Sequence, residues 1–177
     1  EGEQTLLTAD EEEALSKDTA PPLADGWRAV IAQRIPSHGQ RISALIAHQV
    51  LTAETRALYA DRLSKMEEAE EAFFGDSANP LFNWNAETVQ DAFEKAGFSV
   101  QAASQPLTEK RRITEGELAR WFDTEKSAYA AAMAEAIGSE ELAKLKELLR
   151  SAASRMLFNW QTETAYVCVQ ETRKAEA

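Results

Sequence analysis

Three apolar runs along the chain predict β-strands. The first covers residues 27–34, where apolar side chains lie on both faces near the middle, and Pro36 ends it. In the second, residues 98–102 alternate apolar with polar or small side chains. Residues 164–170 form the third apolar run. The segments between these runs carry apolar residues at helical spacing, so the chain predicts three strands separated by helices.

Polar residues with the chemistry of helix caps mark predicted helix starts. Ser37 with Gln40, and Thr114 with Glu117, have the spacing of a capping box. In that motif the two side chains bond free backbone N–H groups of the first helical turn. Both pairs therefore predict the start of a helix.

Other helices are bounded by single polar residues and glycines. Thr52 is predicted to begin a long helix that ends at Gly75. Asn83 or Asn85 is predicted to cap the helix that precedes the second strand. Ser139 is predicted to cap the last helix, which carries a stripe of leucines at helical spacing.

The charge of the chain limits the partners it can have. The formal net charge is −11 at pH 7, which argues against direct nucleic-acid binding because phosphate contacts need clustered Lys and Arg. No run approaches the roughly 18 consecutive apolar residues of a membrane span, so no membrane partner is expected. The 177 residues are enough for one domain with a core.

The chain has one cysteine, Cys168, which excludes an internal disulfide. It lies within the third apolar run, where a small buried core residue is a more natural interpretation than a nucleophile. A chain without disulfides fits a reducing compartment, and the predicted location is therefore the cytoplasm.

The motifs that bind common cofactors are absent from the sequence. It contains neither G-x-G-x-x-G nor G-x-x-x-x-G-K-[ST], and its seven glycines are scattered singly. A phosphate or carboxylate cradle needs clustered glycines, so no cofactor-binding residue is predicted. His38 and His48 are ten residues apart, which is poor spacing for a shared metal ion, and no metal site is predicted.

Polar and aromatic side chains near the strand ends are the candidates for contact with a substrate or partner. In open α/β sheets, ligands bind outside the carboxyl ends of parallel strands. The arginines among the candidates have the alternative of pairing with nearby acids, and the tryptophans that of packing in the core. The candidates are Arg34, Ser37, Gln40, Arg41, Asn83, Trp84, Arg111, Arg112 and Trp160.

A short near-repeat contains two of these candidates. Residues 81–88 (LFNWNAET) and residues 157–164 (LFNWQTET) agree at six of eight positions. The patterns around the two copies differ, so no duplicated structural unit is predicted. The match is either a coincidence, or Trp84 and Trp160 wall one pocket.

Two segments resemble parts of class I AdoMet-dependent methyltransferases. The turn and apolar fifth strand of those enzymes resemble residues 23–32 (LADGWRAVIA). Their next helix and sixth strand resemble residues 88–100 (TVQDAFEKAGFSV). Residues 165–170 then correspond to the seventh strand, which in that fold inserts antiparallel between the fifth and sixth. The resemblance extends over about residues 20–170.

The resemblance implies a helix-rich α/β fold like the second half of a Rossmann-like methyltransferase. A three-stranded mixed sheet would have the order first–third–second, with the last strand antiparallel to the other two and about six helices around it. Residues 1–177 would form a single domain, with an acidic, helical lead-in over residues 1–24 and a partial methyltransferase-like domain with helical insertions over residues 25–177. The first strand would be a sheet edge at which the N-terminal half of the fold pairs. The alternatives are that the N-terminal helix of this chain or a second molecule covers that edge.

The AdoMet-binding motifs of that family lie in its first four strands, which are not in this sequence. The resemblance therefore implies no cofactor-binding residue here, and AdoMet binding only together with the N-terminal half. The chain begins with Glu1 rather than Met, so it is expected to be a piece of a longer protein and not catalytically complete by itself. The full-length protein could be a methyltransferase, an ATPase or both.

An insertion after the second strand resembles a more specific group of proteins. Residues 111–122, followed by more helix, resemble a methyltransferase-like region of unknown role fused behind bacterial AAA+ recombination ATPases of the RarA/MgsA type. These ATPases act at stalled replication forks. The resemblance implies an accessory domain whose partner is the rest of its own polypeptide, including such an ATPase.

Two other functions remain open. The chain could be a non-catalytic interaction module that docks a partner protein or a second copy through its acidic helices, over residues 52–74 and 140–155. It could also be a small-molecule-binding domain with a pocket near Trp84 and Trp160.

Overall fold

The structure, a computed structural model, describes residues 27–171, which form three β-strands and six α-helices. A 3-10 turn (Pro36–His38) follows the first strand, and a π-helical turn (Ile46–Val50) continues the first helix. The predicted lead-in over residues 1–24 lies outside the described residues. In chain order the elements are β1 (Arg28–Arg34), α1 (Ile42–Leu45), α2 (Ala53–Phe74), α3 (Ala86–Lys95), β2 (Phe98–Arg111), α4 (Glu115–Trp121), α5 (Ala128–Ile137), α6 (Ser139–Ala153) and β3 (Phe158–Glu171).

The three strands form one sheet in the order β1–β3–β2, and β3 is antiparallel to both of its neighbours. The register places Cys168 of β3 between Val30 of β1 and Gln101 of β2. β1 and β2 therefore run in the same direction on either side of β3. The predicted α/β class, the strand order and the orientation of the last strand are confirmed.

Two of the strands are longer than the sequence pattern predicts. β2 and β3 are each 14 residues long, and their pairing continues through largely polar positions until Arg111 lies opposite Phe158. In this part of the two strands polar residues lie on both faces, so apolar and polar positions do not alternate. The sequence pattern therefore does not predict this part of the strand pairing. Pro106 fits within β2 because β2 is an edge strand, where an N–H can be lost without breaking a ladder bond.

Helices cover one face of the sheet at one end and the opposite face at the other end. Side chains alternate across a strand, so Phe158 and Thr162 point to one face, and both are buried. Phe158 belongs to the helical core. Further along β3, α3 packs on the other face, where Ala86 clusters with Ala165. The residues of β3 buried on that second face are Ala165, Val167 and Val169.

The main core lies among the helices. It includes the predicted leucine stripe of α6, in which Leu142, Leu145 and Leu149 are buried. Met66 of α2 and Met133 of α5 are also fully buried. Each such side chain contributes about 1.5–3 kcal/mol to folding through its removal from water. Within residues 27–171, no helix combines the length and the apolar character needed to cross a membrane.

Three predicted helix caps are confirmed. The Thr52 side chain accepts a hydrogen bond from the backbone N–H of Thr55 at the start of α2. Asn85 caps α3, and Thr114 forms a reciprocal capping box with Glu117 at the start of α4. These predictions depend only on residues three positions apart, which is why the sequence reveals them.

Two predicted caps are wrong. Ser37 lies in the 3-10 turn, and α1 begins after Arg41 without a side-chain cap from its own segment. The Gln40 side chain instead bonds the backbone of Arg41 and Gln161. Ser139 is the first residue of α6, whose N-cap is Gly138 at φ 87°, a conformation that glycine adopts without strain.

Candidate functional site

An aromatic cavity lies at the carboxyl ends of β1 and β2. Gln40 comes from the segment just beyond β1, and Trp160 of β3 lies opposite Glu109 near the end of β2. The cavity has a volume of about 230 Å³. This is the edge of an α/β sheet at which ligands are expected to bind. The residues that line the cavity are Gln40, Ile42, Phe73, Phe74, Trp121, Ser127, Tyr129 and Trp160.

Helix ends place the aromatic rings around the cavity. Phe73 and Phe74 are the last residues of α2, and Gly75 ends that helix where a Cβ would lie only 2.7 Å from the carbonyl oxygen of Glu71. Tyr129 lies in the first turn of α5, with its ring centroid 5.8 Å from that of Phe73. The end of α2 and the start of α5 therefore bring these three rings together.

Two tryptophans form the opposite wall. Trp121 at the end of α4 stacks on Trp160 of β3, with ring centroids 5.3 Å apart and planes inclined by 24°. The capping box of Thr114 and Glu117 fixes the start of α4, and Leu118 buries the helix against the core. The stack thus joins the insertion after β2 to the sheet.

Two arginines pack against the rings. The Arg41 guanidinium lies 4.3 Å from the Phe74 ring centroid and pairs with Glu71 at 2.9 Å. The Arg111 guanidinium lies 4.6 Å from the Trp160 ring centroid and pairs with Glu117. Each arginine therefore has both an aromatic and a carboxylate partner, and each stiffens one wall of the cavity.

A buried carboxylate lies behind the cavity. Glu70 of α2 accepts hydrogen bonds from the backbone N–H of Ile42 at 2.8 Å, from the backbone N–H and hydroxyl of Ser43, and from the Tyr129 hydroxyl at 2.5 Å. Burial raises the pKa of Glu70, against the opposing effect of these donors. Burial and the adjacent Glu70 raise the pKa of Tyr129 well above its ordinary value.

The surroundings of Glu70 indicate a structural role. It supplies from α2 the cap that α1 lacks in its own segment, and it ties Tyr129 to the same point. With four donor groups around its two oxygens, most of the hydrogen-bond accepting capacity of the carboxylate is filled by the protein itself. We therefore assign Glu70 to support of the cavity wall rather than to acid–base chemistry.

The structure brings several of the predicted candidates together. Gln40 and Trp160 line the cavity, and Arg41 and Arg111 contact its rings. The backbone carbonyl of Ser37 accepts a hydrogen bond from Arg41 at 2.9 Å. Arg111 is the last residue of β2 and not part of the segment after it, a correction to the predicted strand end.

The remaining candidates lie elsewhere. Arg34 is exposed and lies 3.8 Å from Glu109, while Arg112 and Asn83 are exposed. Trp84 packs with Ala86 and the face of the sheet that α3 covers. The hypothesis that Trp84 and Trp160 wall one pocket is therefore wrong for this cavity, because the two rings belong to separate clusters.

Six of the lining residues are not among the predicted site residues. Ile42, Phe73 and Trp121 are predicted only as apolar helix positions. Phe74, Ser127 and Tyr129 lie within predicted helices but are given no individual role. The one local signal is the pair of adjacent phenylalanines before Gly75. Adjacent residues of a helix point in different directions, so the two rings cannot both face the core on which the helix packs.

No metal centre is evident within residues 27–171. They contain no group of three or more His, Cys, Asp or Glu side chains placed to hold an ion. His38 instead pairs with Glu163 at 2.9 Å, and His48 is exposed. A hydrogen bond from Ser104 and the contact with His38 hold the pKa of Glu163 below its usual range. The Cys168 thiol is free and half-buried.

Replacing Glu117 with glutamine is expected to lower the free energy of unfolding by about 1 kcal/mol near neutral pH. Burial opposes ionisation of Glu117, but the Thr114 N–H and the Arg111 guanidinium outweigh it and lower the pKa from 4.5. The carboxylate's contribution is therefore present above pH 4.5 and is lost as the pH falls through the lowered pKa.

Urea unfolding at about pH 7 and about pH 3 tests this. The difference between the wild type and Glu117→Gln should shrink at the lower pH. Glu115→Gln is the control, since Glu115 is exposed and pairs with Arg150 at 3.0 Å outside the capping box. A difference for Glu117→Gln that stays the same at both pH values would contradict the assignment.

Comparison with known proteins finds no protein family that matches the chain and no curated protein with significant similarity to it.

Proposed function

We propose that this chain is the C-terminal half of a methyltransferase-like α/β domain, and that the rest of its own polypeptide completes the sheet along β1. The strand order and the antiparallel last strand support this proposal, because they are what the resemblance to class I methyltransferases implies. The domain would be an accessory part of a bacterial, cytoplasmic protein that also contains a RarA-type AAA+ recombination ATPase.

The observation that carries the proposal is the exposure of β1. This strand is at the sheet edge, yet Val30 is 69% exposed and Ile31 is 39% exposed, on opposite faces. Natural edge strands are normally protected by charges, bulges or covering elements. A strand that is apolar on both faces is typical of the interior of a parallel sheet covered on both sides. The apolar middle of β1, residues 29–32, is thus typical of an internal strand.

The described residues do not fit an AdoMet cradle on their own. β1 is followed by Ile35 and the 3-10 turn at Pro36, and β2 by Arg112 and Ile113. Neither connection within residues 27–171 carries the glycine cluster that would let a cofactor approach backbone N–H groups. We therefore place AdoMet binding in the other half of the proposed domain, and the substrate side in this one.

AdoMet binding measured by calorimetry tests the proposal. We expect no binding by the 177-residue chain, and binding by a version extended before Glu1 by about 100 residues of its own polypeptide. In the longer protein, the β1 amides that point away from β3 should exchange hydrogen more slowly, because a new strand bonds them. Failure of both AdoMet binding and slower exchange would overturn the proposal.

The variant Val30→Lys tests whether added structure covers β1 in the longer protein. In the 177-residue chain its effect on the free energy of unfolding should be within about 0.5 kcal/mol, because Val30 is largely exposed. In the longer protein the lysine would be buried against added structure, and we expect a loss of about 2 kcal/mol or more. Sedimentation equilibrium of the 177-residue chain shows whether a second copy occupies the edge instead. A dimer that Val30→Lys dissociates would contradict pairing with the chain's own polypeptide.

A second candidate function is small-molecule binding, and the aromatic cavity favours it. The cavity is built from rings on four separate elements and lies at the ligand-binding edge of the sheet. Trp121 and Trp160, which stack in its wall, would report occupancy through their fluorescence. A broad metabolite screen that leaves this fluorescence unchanged would remove the candidate.

A further inference from the structure

We infer that the aromatic cavity binds a planar, uncharged nitrogen heterocycle, and that the groove beside it binds an anionic group attached to that ring. A free nucleoside phosphate is the ligand class with this chemistry. The inference rests on the second candidate function, small-molecule binding, because it names the ligand of the same cavity. It requires only described residues and does not depend on the completion of the sheet at β1.

The lining of the cavity suits an uncharged flat ring. Among the described residues that form it, the side chains are aromatic or aliphatic apart from Gln40, Ser127 and the Tyr129 hydroxyl, and none carries a formal charge. Stacking of one flat base on an aromatic side chain stabilises binding by about 1–3 kcal/mol. Among the surrounding rings, Phe73 and Tyr129 meet edge to face, whereas Trp121 and Trp160 are stacked.

The polar groups of the lining can donate hydrogen bonds to a heterocycle. The Gln40 amide is fixed, since its nitrogen donates to the Arg41 carbonyl at 2.8 Å and its oxygen accepts from the Gln161 N–H at 3.1 Å. One of its two N–H groups remains. The Ser127 hydroxyl oxygen accepts from the Ala130 N–H at 3.2 Å, which leaves its hydrogen to donate. Both groups match the ring nitrogens and carbonyls of a base, which are acceptors.

A cationic ligand fits this cavity poorly, although aromatic cages commonly bind quaternary ammonium groups. Arg41 and Arg111 already lie against Phe74 and Trp160, so a second cation near these rings would be repelled. The nearby carboxylate of Glu70 is occupied by its own donors. A neutral ring avoids both penalties.

The groove beside the cavity supplies positive charge. It has a volume of about 960 Å³ and shares Trp121 and Ser127 with the cavity, so the two spaces are neighbours at these residues. Its lining includes Arg120 and Lys126, with Asp123 as the one acid. Lys126 lies 3.6 Å from Asp123, and Arg120 forms none of the ion pairs within residues 27–171. Arg120 is therefore available for a phosphate group.

Calorimetric titration with adenosine 5′-phosphate, adenosine and ribose 5-phosphate tests the inference on the full chain. Adenosine 5′-phosphate should bind and change the tryptophan fluorescence. Adenosine should bind up to about 5-fold more weakly, because a surface charge contributes little. Ribose 5-phosphate should not bind, since it lacks the ring. Binding by other metabolites but by no nucleotide would overturn the ligand class and leave small-molecule binding intact.

Two variants and one control make the test specific. Trp121→Leu should weaken adenosine 5′-phosphate binding by about tenfold or more, because one stacking surface is lost. Trp84→Leu is the matched control, since Trp84 packs in the other cluster, and its affinity should equal that of the wild type. Arg120→Gln, at an exposed position that should not disturb folding, should abolish the difference between adenosine 5′-phosphate and adenosine.

Three results would overturn the inference. The first is the absence of saturable binding at millimolar concentrations of adenosine 5′-phosphate. The second is an equal loss of affinity in Trp84→Leu and Trp121→Leu. The third is tighter binding of single-stranded oligonucleotides than of the free nucleotide, which would indicate a polymer ligand despite the charge of −11.

Discussion

Replacing Glu70 with alanine is expected to lower the free energy of unfolding by about 3–5 kcal/mol. The carboxylate is fully buried and accepts from the backbone N–H of Ile42 and from the hydroxyls of Ser43 and Tyr129. Without it, each of these donors would remain buried and unpaired, at a cost of about 1–3 kcal/mol per group. Chemical denaturation monitored by circular dichroism measures the loss.

Two further variants isolate the hydrogen bonds of Glu70. Glu68→Ala lies on the same helix at an exposed position, and its effect should be within about 0.5 kcal/mol. Glu70→Gln should fall between the two, because the amide keeps one acceptor oxygen but points its NH₂ group at other donors. If Glu70→Ala were no more destabilising than Glu68→Ala, the carboxylate would not be the cap of α1.

The raised pKa of Glu70 also has a definite sign in the pH dependence of stability. Its folded value lies above 4.5, so its protonated form is favoured by folding. The resulting stabilisation is fully present below pH 4.5 and is lost as the pH rises through the folded pKa. The variant Glu70→Gln should lack this pH-dependent stabilisation, because glutamine cannot titrate.

Replacing Phe158 with alanine is expected to cost about 3–5 kcal/mol. Phe158 is fully buried at the start of β3, where it joins the sheet to the helical core. Truncation would leave a cavity in the helical core as well as remove apolar area from it. Thermal and urea unfolding measure the effect.

Tyr166→Ala is the control on the same strand. Tyr166 is eight positions after Phe158 in β3, so both side chains point to the same face of the sheet. Tyr166 is 43% exposed, because the helices cover only the other end of that face. We expect Tyr166→Ala to cost about 1 kcal/mol or less. Equal effects at the two positions would show that the sheet is covered along its whole length.

Local chemistry explains most of the fold that could be predicted. Thr52 and the pair Thr114–Glu117 cap their helices through contacts three residues apart, and such contacts form whatever surrounds them. Apolar runs locate all three strands, since β-strands need apolar side chains on at least one face. The strand order came from resemblance to a known fold, because no local signal states which strands pair.

Contacts between distant residues decided what the sequence could not. The capping box at Ser37 is wrong because Glu70, from α2, takes the N–H groups at the start of α1. The near-repeat misleads because Trp84 and Trp160, identical in local sequence, lie in different clusters. Neither outcome can be read from residues adjacent in the chain.

By itself, the sequence determined the α/β class, the positions of the strands, three helix caps and the acidic charge, because these depend on composition and on neighbours within one turn or one strand. The tertiary structure alone decided the length of β2 and β3, the exposure of β1 and the aromatic cavity. The rings of that cavity come from four elements separated by up to 87 residues, from Phe73 to Trp160. Only the common core to which α2, α4, α5 and β3 all contribute brings them together, and no periodicity along the chain encodes that meeting.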